Sequence, residues 1–231
     1  GRAVGLAEAR GEPNADLQGD IRNFDTVIPR PYEIEDFPAG AGKGGYFVFM
    51  GRVIGRKGIA VAAQACQRLG AKLVIVGQNV ASAEPGKITT TDGGVILGDV
   101  EYAGVVGPEE RARILGGAIA TFVPTLYTEP FGGVHAESLL VGTPVISVPW
   151  GCFEEYIHDG VNGYKCSTMA EFVNAGKNVE KLDRTAIRER AIATYGTDVV
   201  GLQYDRYFRR LTTLRREGYY ESPPEPVGRI A

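Results

Sequence analysis

Glu-Pro-Phe-Gly-Gly-Val-His-Ala-Glu, residues 129–137, is the stretch around which the rest of the chain is organised. The apolar run at 118–124 that precedes it is typical of a buried parallel strand. Apolar residues at helical spacing follow over 134–141, a Gly-Thr-Pro triplet stops that helix, and a second buried strand is predicted at 145–148. Ligands of open parallel sheets bind beyond the carboxyl ends of the strands, which is where the 129–137 turn lies.

The alternation of strand and helix patterns continues over most of the chain and predicts an α/β fold. It indicates a doubly wound, Rossmann-like parallel sheet of about six strands. Further strands are predicted at 46–50, 72–76 and 95–98, a helix at 59–69, and closing helices at 169–177, 184–195 and 199–216.

The residue types of the 129–137 turn suit a ligand that carries both phosphate and hydroxyl groups. Gly132 and Gly133, followed by Val134, leave backbone amides open at a helix N-terminus, where the helix dipole favours an anion. Carboxylates accept hydrogen bonds from hydroxyls, so Glu129 and Glu137 suggest sugar hydroxyls on either side of a diphosphate. In the alternative interpretation, Glu137 is a helix-favouring acid and Glu129 a solvated loop acid.

A second turn, at residues 51–58, follows the strand at 46–50 and carries basic residues. Arg52 can contact a diphosphate with its planar fork, and Lys57 as a point charge. Ordinary solvated charges are the alternative.

Residues 129–146 resemble the Glu-x7-Glu signature of retaining glycosyltransferases of family 4, and residues 51–58 resemble the Gly-Arg...Lys-Gly motif of the same family. The likeness extends over roughly residues 26–210. It implies the GT-B fold, in which two Rossmann-like domains face each other, and it identifies this sequence with the C-terminal, nucleotide-sugar-binding half. The donor implied is a UDP-sugar or a GDP-sugar.

The resemblance also implies roles for individual residues. Arg52 and Lys57 would neutralise the donor diphosphate, Glu129 would orient the transferred sugar, and Glu137 would bind the ribose hydroxyls. Retention without an obvious nucleophile implies attack by the acceptor on the face from which the diphosphate leaves.

Three more donor-binding positions follow from the same likeness. Gly51 lies beside the basic residues, Val106 lies in the loop that contacts the base, and Thr125 lies in the loop before the 129–137 turn.

The family pattern divides the chain into five parts and implies that acceptor binding belongs to another domain or a partner chain. The parts are an N-terminal remnant or loop at 1–25, an interdomain linker at 26–45, the nucleotide-sugar-binding domain at 46–196, a crossing helix at 197–217 and a flexible tail at 218–231.

Composition excludes several other kinds of protein. The formal net charge of −3 gives no support for nucleic-acid binding. No apolar run is long enough for a membrane span and no signal-peptide core is present, so a cytoplasmic location is expected. Three cysteines without Cys-x-x-Cys spacing indicate no zinc site, and the absence of Asp-x-Asp predicts that neither a metal nor another cofactor is required.

Other nucleotide-binding motifs fit less well. The glycine-rich segment 39–45 contains Gly-Lys but lacks the following Ser or Thr and precedes a strand, so a flexible connector is favoured over a Walker loop. No strand is followed by Gly-x-Gly-x-x-Gly with an acid beyond it, which argues against a nucleotide-dependent oxidoreductase. A non-catalytic nucleotide-binding or assembly subunit that needs a partner chain stays open as an alternative.

Overall fold

The structure is a computed structural model that describes residues 27–217, with side-chain environments described as far as residue 209. The predictions for residues 1–25 and 218–231 therefore lie outside the described residues. Within the described part of the chain, residues 30–201 form one compact unit.

Strands and helices alternate along most of the described residues, except that five strands follow one another between residues 72 and 104. The strands are β1 (Tyr46–Met50), β2 (Lys72–Val76), β3 (Val80–Glu84), β4 (Lys87–Thr90), β5 (Val95–Leu97), β6 (Val100–Gly104), β7 (Thr121–Val123), β8 (Val145–Ser147) and β9 (Gly163–Lys165). The helices are α1 (Ile59–Leu69), α2 (Pro108–Gly117), α3 (Gly133–Leu140), α4 (Phe153–Tyr156), α5 (Met169–Asn178), α6 (Arg184–Tyr195) and α7 (Thr197–Glu217).

Six of these strands form one parallel sheet in the order β6-β2-β1-β7-β8-β9. From β1 the chain adds β2 and then β6 on one side, and it then returns to place β7 against the other side of β1. The strand order thus reverses between β1 and β7. In doubly wound sheets the crevice at such a switch point is where ligands bind.

Helices cover both faces of the sheet, which confirms the predicted doubly wound α/β fold. In β1, Phe47 and Phe49 belong to a buried cluster that includes α1, whereas Val48 and Met50 belong to a second cluster that includes α2. Alternate side chains of a strand point to opposite faces, so a strand that is buried on both sides must be apolar at every position.

Local signals set the ends of several helices. Gly58 before α1 and Gly70 after it both have left-handed backbone, with φ of 78° and 64°. Thr168 and Glu171 form a capping box at the start of α5, and the Asp183 carboxylate accepts hydrogen bonds from the first-turn amides of α6.

The strand predicted at 95–98 exists, but its assignment to the main sheet is wrong. Strand β5 pairs with β4 and β4 with β3 in a separate three-stranded antiparallel sheet, and β6 takes the place beside β2. Pro-Gly at 85–86 and Asp-Gly at 92–93 form the tight turns that join the three strands. We call residues 80–97 the meander.

The glycine-rich segment 39–45 is tied to the domain and is not a free connector. The amides of Gly42 and Gly44 donate to carbonyls at the end of α2, with N···O distances of 2.9 and 2.8 Å. A Cβ atom on Gly40 would lie 2.2 Å from the Gly116 Cα, so the two backbones are in direct contact. The Arg184 guanidinium donates to the carbonyls of Gly40 and Gly116, which holds the same segment from α6.

None of the helices within residues 27–217 is long and apolar enough to cross a membrane.

Candidate functional site

The turn before α3 has the geometry of an open helix N-terminus. Gly132 is the residue before the helix and has φ of 64°; a Cβ there would lie 2.9 Å from the Glu129 Cγ. No side chain caps the helix, and the backbone amide of His135 is bonded back to the Gly132 carbonyl. The amides of Gly133 and Val134 therefore have no capping side chain, and the helix dipole favours an anion at this end of α3.

Lys57 and Glu129 meet across the switch point of the sheet. The Lys57 Nζ lies 2.5 Å from the Glu129 Oε2, and the Tyr127 hydroxyl donates to the same oxygen at 2.8 Å. The Lys57 ammonium also lies 5.0 Å from the centroid of the Tyr127 ring, within range of a cation–π contact. The structure thus brings together two of the three predicted catalytic residues, one from the loop after β1 and one from the loop after β7.

Glu137 lies one turn into α3 and is nine-tenths buried, with 8% of its side chain exposed. Its Oε1 accepts a hydrogen bond from the Arg111 Nη1 at 3.0 Å, whereas its Oε2 is buried without a hydrogen-bond partner among the described residues. Burial raises the pKa of the Glu137 carboxyl above its ordinary value, and the Arg111 and Arg30 guanidinium groups oppose that shift. A buried acceptor without a partner carries a free-energy cost that a hydroxyl donor from a ligand would remove.

Arg52 and Gly51 directly follow β1, as predicted. The Arg52 side chain is exposed and makes no hydrogen bond or ion pair with the side chains described. Gly51 has φ of 143°, and a Cβ there would have no neighbour within 4 Å, so its backbone borders open space. The loop 51–58 is therefore accessible to a ligand. Arg52 and Arg56 are exposed, whereas Lys57 is paired with Glu129.

Of the other predicted donor positions, Val106 and Thr125 lie in loops and Val134 lies in the first turn of α3. Val106 is half-buried between β6 and α2, and Val134 packs in the same apolar cluster. Thr125 is fully buried; its carbonyl accepts from the Trp150 Nε1 at 3.1 Å and its hydroxyl has no partner among the described residues. Among the described residues, no hydrogen bond or ion pair joins the Arg52 side chain to either glutamate.

His135, for which the sequence predicted no role, is buried and supports the turn before α3 through a hydrogen bond to Gly132. Its Nδ1 lies 2.8 Å from the Gly132 carbonyl and its Nε2 lies 3.0 Å from the Tyr195 hydroxyl. Because a carbonyl can only accept, Nδ1 carries the proton and Nε2 accepts from the tyrosine. Burial lowers the pKa of His135 to about 4, so the ring is neutral at pH 7 and acts as a structural support for Gly132.

Sequence reasoning missed Arg111 and Tyr32 as parts of the site. Arg111 lies in the first turns of α2 and pairs with Glu137. The Tyr32 hydroxyl donates to the Gly133 carbonyl at 3.4 Å, and burial raises the pKa of Tyr32 to about 12. The signal for Arg111 was its place after a strand of the parallel sheet; for Tyr32 the sequence carried none.

Within the part of the chain that the structure describes, no three His, Cys, Asp or Glu side chains are grouped closely enough to hold a metal ion.

One family model matches the chain. Residues 44–181, more than half of the chain, match the family model described as "Glycosyl transferases group 1". A comparison with curated proteins found no match.

Solved structures of GT-B glycosyltransferases share the fold. A glycosyltransferase of avilamycin A biosynthesis, AviGT4, aligns with a TM-score of 0.67 at 23% identity over 83% of this chain and 60% of its own. For sucrose-phosphate synthase from Thermosynechococcus elongatus the TM-score is 0.66, at 22% identity over 87% of this chain and 56% of its own. Anabaena Alr3699/HepE in complex with UDP-glucose aligns at 0.62, with 18% identity over 80% of this chain and 57% of its own. At such identities the likeness establishes the fold, and this chain spans less than two thirds of each relative.

Proposed function

The chain belongs to the group 1 glycosyl transferases, and on that premise we propose that it is the nucleotide-sugar-binding half of a retaining glycosyltransferase of family 4. It takes a UDP- or GDP-sugar, binds it in the crevice between β1 and β7, and presents it for transfer of a hexosyl group to an acceptor hydroxyl. The proposal places this half C-terminal in the complete enzyme. Acceptor binding falls to a second domain, in the same protein or on a partner chain.

One observation carries the proposal: the Glu137 Oε2 is buried without a partner beside the open N-terminus of α3. A carboxylate oxygen at that place accepts a hydroxyl hydrogen bond, while the amides before it bind phosphate. A nucleoside diphosphate carries both groups, since its ribose hydroxyls and its phosphates lie a few bonds apart. UDP-glucose bound to Anabaena Alr3699/HepE is a ligand of this chemical class in a structure of the same fold.

The charges of the site favour departure of the diphosphate. Lys57 and Arg52 supply positive charge at the end of β1, and the amides of Gly133 and Val134 supply the positive end of the α3 dipole. As the bond between the sugar carbon and the phosphate oxygen breaks, the electron pair goes to that oxygen. The acceptor oxygen bonds to the carbon on the same face, and its proton passes to the departing diphosphate.

Glu129 has two successive partners in this scheme. Without donor it is paired with Lys57 and accepts from Tyr127. When a diphosphate takes the Lys57 ammonium, Glu129 is released toward the hydroxyls of the transferred sugar. The ion pair thus keeps both side chains in place before the donor arrives.

The role of Glu137 is tested by removing either partner of the proposed ribose contact. We expect the unaltered chain to bind UDP about tenfold more tightly than its dideoxyribose analogue, which lacks both ribose hydroxyls, since one charged hydrogen bond is worth at least that factor. In Glu137→Ala the two ligands should bind alike. Calorimetric titration measures all four affinities.

A matched control is Glu189→Ala, which removes an exposed carboxylate from α6 and should keep the preference for the ribose form. Equal binding of the two ligands by the unaltered chain would remove Glu137 from the donor site.

A further inference from the structure

We propose that Asp92, at the tip of the meander, is a positioning residue that holds the diphosphate-binding loop in shape from outside the site. The inference rests on the proposed function, because it assigns to the meander the task of placing Lys57 for the donor. Asp92 itself does not touch the donor in this account and acts through the backbone of Gly55.

The contact joins two distant parts of the chain. The Gly55 amide donates to the Asp92 Oδ2 at 3.0 Å, across 37 residues of sequence. Gly55 begins a short helical turn, Gly55–Lys57, whose preceding residue, Ile54, is extended and supplies no side-chain cap. Asp92 therefore provides for this turn the capping acceptor that a neighbouring residue usually provides.

Asp92 is itself held in position by the meander. The Thr90 hydroxyl donates to the Asp92 Oδ1, and the Gly94 amide donates to the Thr90 hydroxyl oxygen at 2.8 Å. Thr90 is 2% exposed, so this part of the turn is anchored in the domain. Hydrogen bonds lower the pKa of Asp92, chiefly the one from the Thr90 hydroxyl and then the one from the Gly55 amide, and the carboxylate stays ionised at neutral pH.

The loop 51–58 is bound on two sides. On the meander side, the Val53 amide donates to the Gln78 carbonyl at 2.8 Å, in addition to the Gly55–Asp92 bond. On the other side, the Leu126 amide donates to the Arg56 carbonyl at 2.9 Å, which links the loop to the segment that leads to Glu129. Lys57 reaches Glu129 from the end of the same turn. A change in the backbone conformation of the turn therefore displaces the Lys57 ammonium.

The charge of Asp92 and its hydrogen bond to Gly55 predict opposite changes in nucleotide affinity when the side chain is removed. An exposed carboxylate near an anion site repels a diphosphate, so removing it should strengthen binding if charge were its only influence. Asp92→Asn keeps an oxygen acceptor for Gly55 and removes the charge, whereas Asp92→Ala removes both. The two variants therefore separate positioning from repulsion.

The test is calorimetric titration of UDP into the unaltered chain and into Asp92→Ala, Asp92→Asn and the control Asp99→Ala, an exposed carboxylate that follows the meander. We expect Asp92→Ala to bind about fivefold more weakly, the factor that corresponds to one ordinary hydrogen bond. Asp92→Asn should bind within about twofold of the unaltered chain by the same measure, and Asp99→Ala should not differ from it. Amide exchange at Gly55 should be faster in Asp92→Ala and restored in Asp92→Asn.

Undiminished binding by Asp92→Ala, together with normal binding by the unaltered chain, would overturn this inference and leave the proposed function standing. Weakened binding in Asp92→Asn equal to that in Asp92→Ala would also overturn it, since the hydrogen-bonding variant would not rescue. If the unaltered chain binds no nucleotide, the proposed function fails and this inference fails with it.

Discussion

Lys57→Ala is expected to weaken the binding of UDP or GDP by about ten- to a hundredfold, because a hydrogen bond to a charged group contributes about 1.5–3 kcal/mol. The change has a second effect that acts in the same direction. Lys57 is the ion-pair partner of Glu129, so its loss leaves that carboxylate uncompensated beside the incoming diphosphate. Calorimetric titration of the purified variant gives the affinity directly.

The contribution of the released carboxylate can be separated from that of the lost ammonium. Glu129→Gln in the Lys57→Ala background removes the negative charge and should recover part of the affinity, whereas Lys177→Ala, on the exposed side of α5, should leave it unchanged. If Lys57→Ala bound nucleotide as tightly as the unaltered chain, the diphosphate could not be placed at the end of β1.

Gly58→Ala is expected to lower the free energy of unfolding by about 3 kcal/mol or more, through left-handed backbone and steric overlap together. Gly58 has φ of 78°, and a Cβ there would lie 1.9 Å from the Pro124 carbonyl oxygen. Relief of that overlap must move the loop after β1 away from the loop after β7, which widens the crevice between Lys57 and Glu129. Urea unfolding measures the loss of stability, and nucleotide titration measures the effect on the site.

Gly70→Ala is the matched control at the other end of α1. Gly70 is also left-handed, with φ of 64°, but a Cβ there would have no neighbour within 4 Å. It should cost only the backbone penalty of about 1 kcal/mol. Equal losses for the two substitutions would mean that the contact with Pro124 contributes nothing.

Local pattern was sufficient for the elements that surround the site. The bounds predicted for β1, β2 and α1 are those of the structure, because unbroken apolar runs and flanking glycines are local signals. The same pattern predicted that the loops after β1 and β7 lie at one edge of the sheet, because parallel strands have their carboxyl ends at the same edge. The main elements, and the edge of the sheet at which the candidate site lies, were therefore accessible from sequence.

Long-range pairing was not accessible. Lys57 and Glu129 were each predicted to contact donor, but nothing local states that they contact each other across 72 residues. The Arg111–Glu137 pair and the Asp92–Gly55 bond depend in the same way on how distant loops meet. Strands β3 and β4 were missed because neither forms the apolar run that marks β1 and β2. Only the tight turns at 85–86 and 92–93 indicate the antiparallel pairing of the meander.

Calorimetric titration of the unaltered chain with UDP, GDP, ADP and NAD, each with and without EDTA, tests the central claim most directly. We expect saturable binding of UDP or GDP at one site, with the same affinity in EDTA and no comparable binding of NAD. Absence of binding by both UDP and GDP, or a preference for NAD, would contradict it.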